Sequence, residues 1–151
     1  MPKGRILALD VGRKRIGLAV SDEMGITAQG IDTLERTRIR DDLNALDQIA
    51  KSWNITTLLV GRPLHMSGSE SRQSEYTKDF AERLQRHLKR PVVFWDERLT
   101  SAQAERILRD SGASLSDRKR LVDRMAAVLL LESYLGCKGF STDLETGGLL
   151  G

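Results

Sequence analysis

A chain of 151 residues, 40% hydrophobic and 30% charged, has the size and composition of one soluble globular domain. It has no apolar run near the ~20 residues that span a bilayer, and its single cysteine, Cys137, excludes an intrachain disulfide framework and fits a reducing, cytoplasmic setting. The net charge of +3 permits nucleic acid as a partner without demanding it.

Met1-Pro2-Lys3-Gly4-Arg5 leads at once into an apolar strand pattern and is no secretory signal. Ile6 to Asp10 and Ile16 to Val20 are short aliphatic runs around a basic turn, the pattern of a hairpin of two buried strands. Asp10 closes the first run, where a carboxylate is costly unless it is paired, hydrogen-bonded or metal-bound. Gly12 and Gly17 allow close approach of backbone or phosphate, and Arg13, Lys14 and Arg15 add positive charge at the same tip. The stretch suits a site for phosphate and a divalent cation; a plain surface hairpin with solvated charges fits it as well.

Ser21 to Gly25 is a turn by composition, and Ala28 to Leu34 alternates weakly, as an edge strand antiparallel to the second. From Ile39 to Trp53 apolar residues recur at three and four, an amphipathic helix with Asp41, Asp42 and Asp47 on the outer face and Asn54 as its end. Thr56 to Val60 is a short buried strand. Gly61 to Arg72 is a loop by composition at the carboxyl end of that strand, where open α/β sheets bind ligands. His65 within it is a substrate or solvent contact rather than a metal ligand. Tyr76, Phe80, Leu84 and Leu88 mark a second amphipathic helix, whose closing cations Arg86, Lys89 and Arg90 answer the helix dipole.

Pro91 to Trp95 is the last strand, followed by Asp96-Glu97-Arg98. Thr100 and Gln103 form a capping box that opens a helix ending at Gly112. A final, largely buried helix runs from Ser114 or Ser116 to Leu135, with Gly136 as its stop and Asp123 as the odd polar residue. Ala126 and Ala127, one turn on, let that helix approach the sheet. Phe140 to Gly151 lacks periodicity, so the expected layout is one domain over 1–138 and a loose tail over 139–151.

Three stretches carry a resemblance: Leu9-Asp10-Val11-Gly12 with Arg15 to Asp22; Asp96-Glu97-Arg98-Leu99-Thr100-Ser101; and Val122-Asp123-Arg124-Met125-Ala126-Ala127. With Val60-Gly61-Arg62-Pro63-Leu64 and Gly68-Ser69-Glu70 between them, they resemble the YqgF family, the pre-16S rRNA nuclease or Holliday-junction-resolvase-like proteins of the ribonuclease H-like superfamily. The chain departs from the family in the central loop, where Arg62, His65 and Ser67 stand at variable places. The resemblance implies an α/β ribonuclease H-like fold: a mixed five-stranded sheet, built from a three-strand antiparallel meander plus two crossover strands, with helices on both faces.

It further implies a nuclease that hydrolyses phosphodiester bonds, with Asp10, Glu97 and Asp123 as catalytic acids holding Mg2+ or Mn2+, two ions in all. Such ions prefer oxygen ligands, and a pair about 4 Å apart can activate water and stabilise the leaving oxygen. Glu97 rather than Asp96 is chosen on the family pattern; spacing does not separate them. Arg13, Lys14, Arg15, Arg62 and Arg98 would neutralise backbone phosphates. Precursor 16S rRNA is the favoured substrate. A four-way-junction DNA resolvase, a non-catalytic RNA-binding ribosome-assembly factor, and an ATP-binding domain of the actin and Hsp70 type stay open beside it, as does the oligomeric state.

Overall fold

The computed structural model describes residues 4–61, 69–96, 109–110 and 115–146, with side chains at 4–61, 72–96, 109–110 and 121–136. Five strands form one sheet: β1 (Arg5–Val11), β2 (Arg15–Ser21), β3 (Ala28–Glu35), β4 (Ile55–Gly61) and β5 (Val92–Trp95). Three long helices accompany the sheet, α1 (Ile39–Ser52), α2 (Ser69–Leu88) and α3 (Leu115–Thr146). The order across the sheet is β3-β2-β1-β4-β5, so the hairpin-connected meander lies on one side and the two crossover strands on the other. β1 pairs antiparallel with β2 and parallel with β4, and β4 pairs parallel with β5. This is the mixed sheet that the resemblance implies, with β3 at the edge expected from the weak alternation of Ala28 to Leu34.

Side-chain alternation sorts the strands into two faces. Leu7, Leu9, Val11, Ile16, Leu18, Val20, Leu58 and Val60 point to one face, where they pack with Leu43 and Leu46 of α1 and Phe80, Leu84 and Leu88 of α2. Ile6, Ala8, Ala19 and Leu59 point to the other, under Ala127, Leu130 and Leu131 of α3. Small residues line both sides of that second contact, so α3 lies close to the sheet. Asp10 follows Ile6 and Ala8 in the alternation and therefore shares the α3 face. At the end of β5, Trp95 meets Tyr134 of α3 edge-on at 5.2 Å and donates its indole N–H to Ser133 Oγ at 3.0 Å, which ties that strand end to the same helix.

Three expectations change. α2 begins at Ser69, inside the stretch expected to be loop: its polar opening, Ser-Glu-Ser-Arg-Gln-Ser, carries no apolar periodicity yet is helical. α3 passes through Gly136 and runs to Thr146, into the region expected to be tail. Glycine stops a helix by adopting a left-handed backbone, and among the described glycines only Gly25 does so. Asp42, expected on the outer face of α1, is buried, for reasons given below. The helix expected from Thr100 lies outside the described residues apart from Arg109 and Asp110, which are helical. No described helix is long and apolar enough to cross a membrane.

Candidate metal and nucleic-acid site

Asp10 and the main chain of Asp123 both border Gly17. In the β1–β2 ladder Asp10 stands opposite Gly17, and partners in an antiparallel pair have Cα atoms about 4.5–5.5 Å apart. A Cβ at position 17 would run into the main-chain carbonyl of Asp123. Glycine thus lets the backbone of α3 settle onto β2 beside the end of β1, and the two acids border the same residue. The sheet register and one glycine achieve this across most of the chain's length.

Asp123 is half-buried. Burial raises its carboxyl above the usual carboxylate range; a hydrogen bond and charge from Arg15 oppose this, and the charge of Glu35 adds to the rise. Arg15 Nε donates to Asp123 Oδ2 at 2.8 Å, with a quarter of each side chain exposed. Arg15, expected to serve a substrate phosphate, pairs in this structure with the acid itself. β2 opens with Arg15 on the face toward α3, which puts the guanidinium within reach of that helix.

Arg13 and Lys14 are exposed at the tip of the turn. Arg13 lies over the ring of Tyr76 on α2, its Cζ 4.2 Å from the centroid. Glu97, Arg62, Arg98 and His65 lie outside the described residues. Trp95, two positions before Glu97 in sequence, packs on the α3 face, and Asp96 is partly buried and engaged. Among the described residues no group of three or more His, Cys, Asp or Glu could hold a metal ion. The donor chemistry nonetheless suits one: Asp10 and Asp123 offer only hard carboxylate oxygens, the ligands of Mg2+ and Mn2+.

A polar network behind the turn escaped the sequence patterns. Arg36, just after β3, donates from Nε to Asp42 Oδ2 at 2.8 Å and from Nη1 to the carbonyl of Gly12 at 2.9 Å and to Tyr76 Oη at 2.7 Å. Asp42 Oδ1 accepts from the backbone N–H and the hydroxyl of Thr37 at 3.0 and 3.1 Å. Burial alone would raise the Asp42 carboxyl, but the bonds from Arg36 and Thr37 and the Arg36 charge outweigh it and hold the carboxyl below its ordinary value. An Arg and a Thr shortly before the first acidic turn of a helix are the local trace of this arrangement. Nothing local points to Tyr76 or Gly12.

A family model described as a Holliday junction resolvase, RuvX, matches residues 4–136. The chain belongs to the RuvX family. Relatives of this RuvX-family chain include a Koribacter versatilis protein, 47% identical over 140 residues covering 93% of this chain and 92% of that one. A second, from Syntrophomonas wolfei, is 45% identical over 131 residues, covering 87% and 93%. Both carry the name "Putative pre-16S rRNA nuclease". Among solved structures, the RuvX-family fold is similar to that of Thermus thermophilus RuvC in complex with a Holliday junction substrate, with TM-score 0.57, 12% identity and coverage of 89% and 95%. It is also similar to the Fowlpox virus resolvase in complex with Holliday junction DNA, with TM-score 0.54, 14% identity and coverage of 88% and 97%. At such identities these structures speak for the fold, which is the ribonuclease H-like one.

Proposed function

We propose that this chain is a divalent-metal-dependent nuclease that hydrolyses phosphodiester bonds, with the ends of precursor 16S rRNA as its substrate. One observation supports the reading: the Asp123 backbone is seated on Gly17, the ladder partner of Asp10, next to a turn that bears exposed cations. The names of the relatives support the RNA substrate.

Asp10, Glu97 and Asp123 would hold the metal. Mg2+ or Mn2+, two ions in this reading, supplies neutralisation of the charge that develops on the phosphate and lowers the pKa of a bound water. The protein's part is to offer carboxylates at fixed positions; burial penalises a bare Asp123 carboxylate, so its charge calls for a cationic partner, Arg15 in this structure. Arg15 balances the Asp123 charge before a cation arrives and is then released toward the phosphate. Arg13 and Lys14, with Arg62 and Arg98 from their neighbouring stretches, hold the backbone of the nucleic acid without reading its sequence.

The family description favours a second substrate, a four-way DNA junction. A panel with Mg2+ or Mn2+ on single-stranded RNA, structured precursor rRNA and four-way DNA junctions, with the Asp10→Asn protein as control, tests both. Cleavage of precursor RNA that disappears in the control is the expected result. Cleavage of the junction alone would move the substrate to DNA, and no cleavage of any substrate would overturn the nuclease reading.

A further inference from the structure

Arg36 holds the β1–β2 turn from behind. Besides its bonds to Asp42, Gly12 and Tyr76, its Cζ lies 4.9 Å from the centroid of Phe80, and its backbone N–H donates to the carbonyl of Lys14 at 2.9 Å. From α2, Gln73 Nε2 donates to the carbonyl of Val11 at 3.3 Å, and Tyr76 lies under Arg13. Every residue between Asp10 and Arg15 is therefore gripped, at Val11, Gly12 and Lys14 by its carbonyl and at Arg13 by its side chain. A short turn carrying exposed cations would otherwise be among the more mobile parts of a fold.

The chemistry of the grip fits arginine alone. One planar guanidinium donates to a carboxylate, a carbonyl and a phenol while its face lies on an aromatic ring; an ammonium cannot do all four. Core stability does not require it, because buried ion pairs are often replaceable by apolar residues at no loss. What the charge adds is direction at the Gly12 carbonyl, two residues past Asp10. Stacking on Tyr76 likewise occupies the face of the Arg13 guanidinium and leaves its N–H edge for an oxyanion.

We propose that Arg36 is a positioning residue: through Gly12 and Tyr76 it sets the β1–β2 turn so that Asp10 and Arg13 address the same phosphodiester. This rests on the nuclease reading above, so the test includes measurements that need no cleavage. The variants are Arg36→Met with Asp42→Asn, which leaves no buried charge unpaired, then Arg36→Lys, and Tyr76→Leu, which removes the shelf under Arg13.

Amide exchange at Gly12, whose N–H donates to the Arg15 carbonyl at 2.9 Å, is followed by NMR in the metal-free protein. RNA affinity is measured in the Asp10→Asn background, and kcat and KM in the active one. In the double variant Gly12 exchange rises and kcat falls about tenfold to a hundredfold, as expected when a reacting group is misplaced by an ångström or less. Tyr76→Leu raises KM and weakens RNA binding about threefold, the worth of an exposed cation–π contact, with kcat little changed. If the double variant does not fold, Arg36→Lys decides by the same exchange and kcat readouts. A folded variant with wild-type Gly12 exchange and kcat overturns the proposal. A wild-type protein that cleaves nothing overturns the nuclease reading alone, since the exchange and binding results still decide the role of Arg36.

Discussion

The carbonyl of Asp123 occupies the space that a side chain at position 17 would need, so Gly17 is the seat on which α3 delivers its acid. Gly17→Ala sets a methyl group against backbone, which cannot swing away as a flexible side chain can. The helix must lift, at a cost of about 1–3 kcal/mol for such overpacking. A melt should drop by about 2–4 °C for each kcal/mol in a chain of this size. Calorimetric titration with Mn2+ should weaken in parallel. Wild-type affinity in a folded Gly17→Ala protein would show that the seating of α3 does not govern the site.

Asn at position 123 should produce a chain that loses its response to metal yet melts no lower in EDTA. The carboxyl of Asp123 is raised, first by burial. Between the unfolded value of about 3.9 and that raised value, the folded chain keeps a proton the unfolded chain has lost. Stability therefore declines as pH rises through this window and stays lower above it. Asp123→Asn removes the decline. Added Mg2+ or Mn2+ at a hundred times Kd should stabilise the wild type by about 2.7 kcal/mol. The variant should show no such gain; a full gain would remove Asp123 from the metal site.

Asp10→Asn, Glu97→Gln and Asp123→Asn should each reduce metal-dependent cleavage by at least about a hundredfold, since a metal's charge stabilisation amounts to several kcal/mol and each decade is about 1.4 kcal/mol. Circular dichroism should remain that of the parent. Retained cleavage in any one would strike that residue from the set.

The Arg36–Asp42 pair gives an acid-side prediction. Asp42 is 1% exposed and its carboxyl is held low despite burial, by Arg36 and Thr37. An acid with a depressed folded pKa contributes stability that is present above its unfolded value, about 3.9, and is lost as pH falls through the folded one. Arg36→Ala leaves that buried charge alone and should cost about 3–5 kcal/mol at pH 7 in urea unfolding. The gap between variant and parent should narrow as pH falls, beginning where the variant's carboxyl, raised by burial once Arg36 is gone, takes up its proton and ending where the parent's depressed one does. A gap independent of pH would mean the loss is one of packing.

Arg13→Ala should lower the slope of log affinity against log salt by about 0.7 on single strands and 0.9 on duplex, one phosphate contact's share. An unchanged slope would take Arg13 off the nucleic acid.

The strands and helices were legible because their signals are local: unbroken aliphatic runs in β1 and β2, period three to four in α1 and α2. Asp10 announced itself as a carboxylate at the end of an apolar run. Arg15 did not announce its partner, because Asp123 lies on a helix near the other end of the chain and no neighbouring pattern encodes that meeting. Asp42 was misplaced because its charge was read as outward-facing although, three residues after Ile39 and four before Leu46, it lies on the apolar stripe itself; the guanidinium that pairs it there arrives from beyond β3. The start of α2 was missed because a polar run has no apolar stripe to count. Gly136 was misread because a glycine's effect depends on a backbone angle that composition does not state.

α3 brings both Asp123 and the cover for Ala8, Ala19 and Leu59. Docking of that helix therefore closes the second core and carries Asp123 onto β2 in a single event, so the two cannot be gained or lost separately.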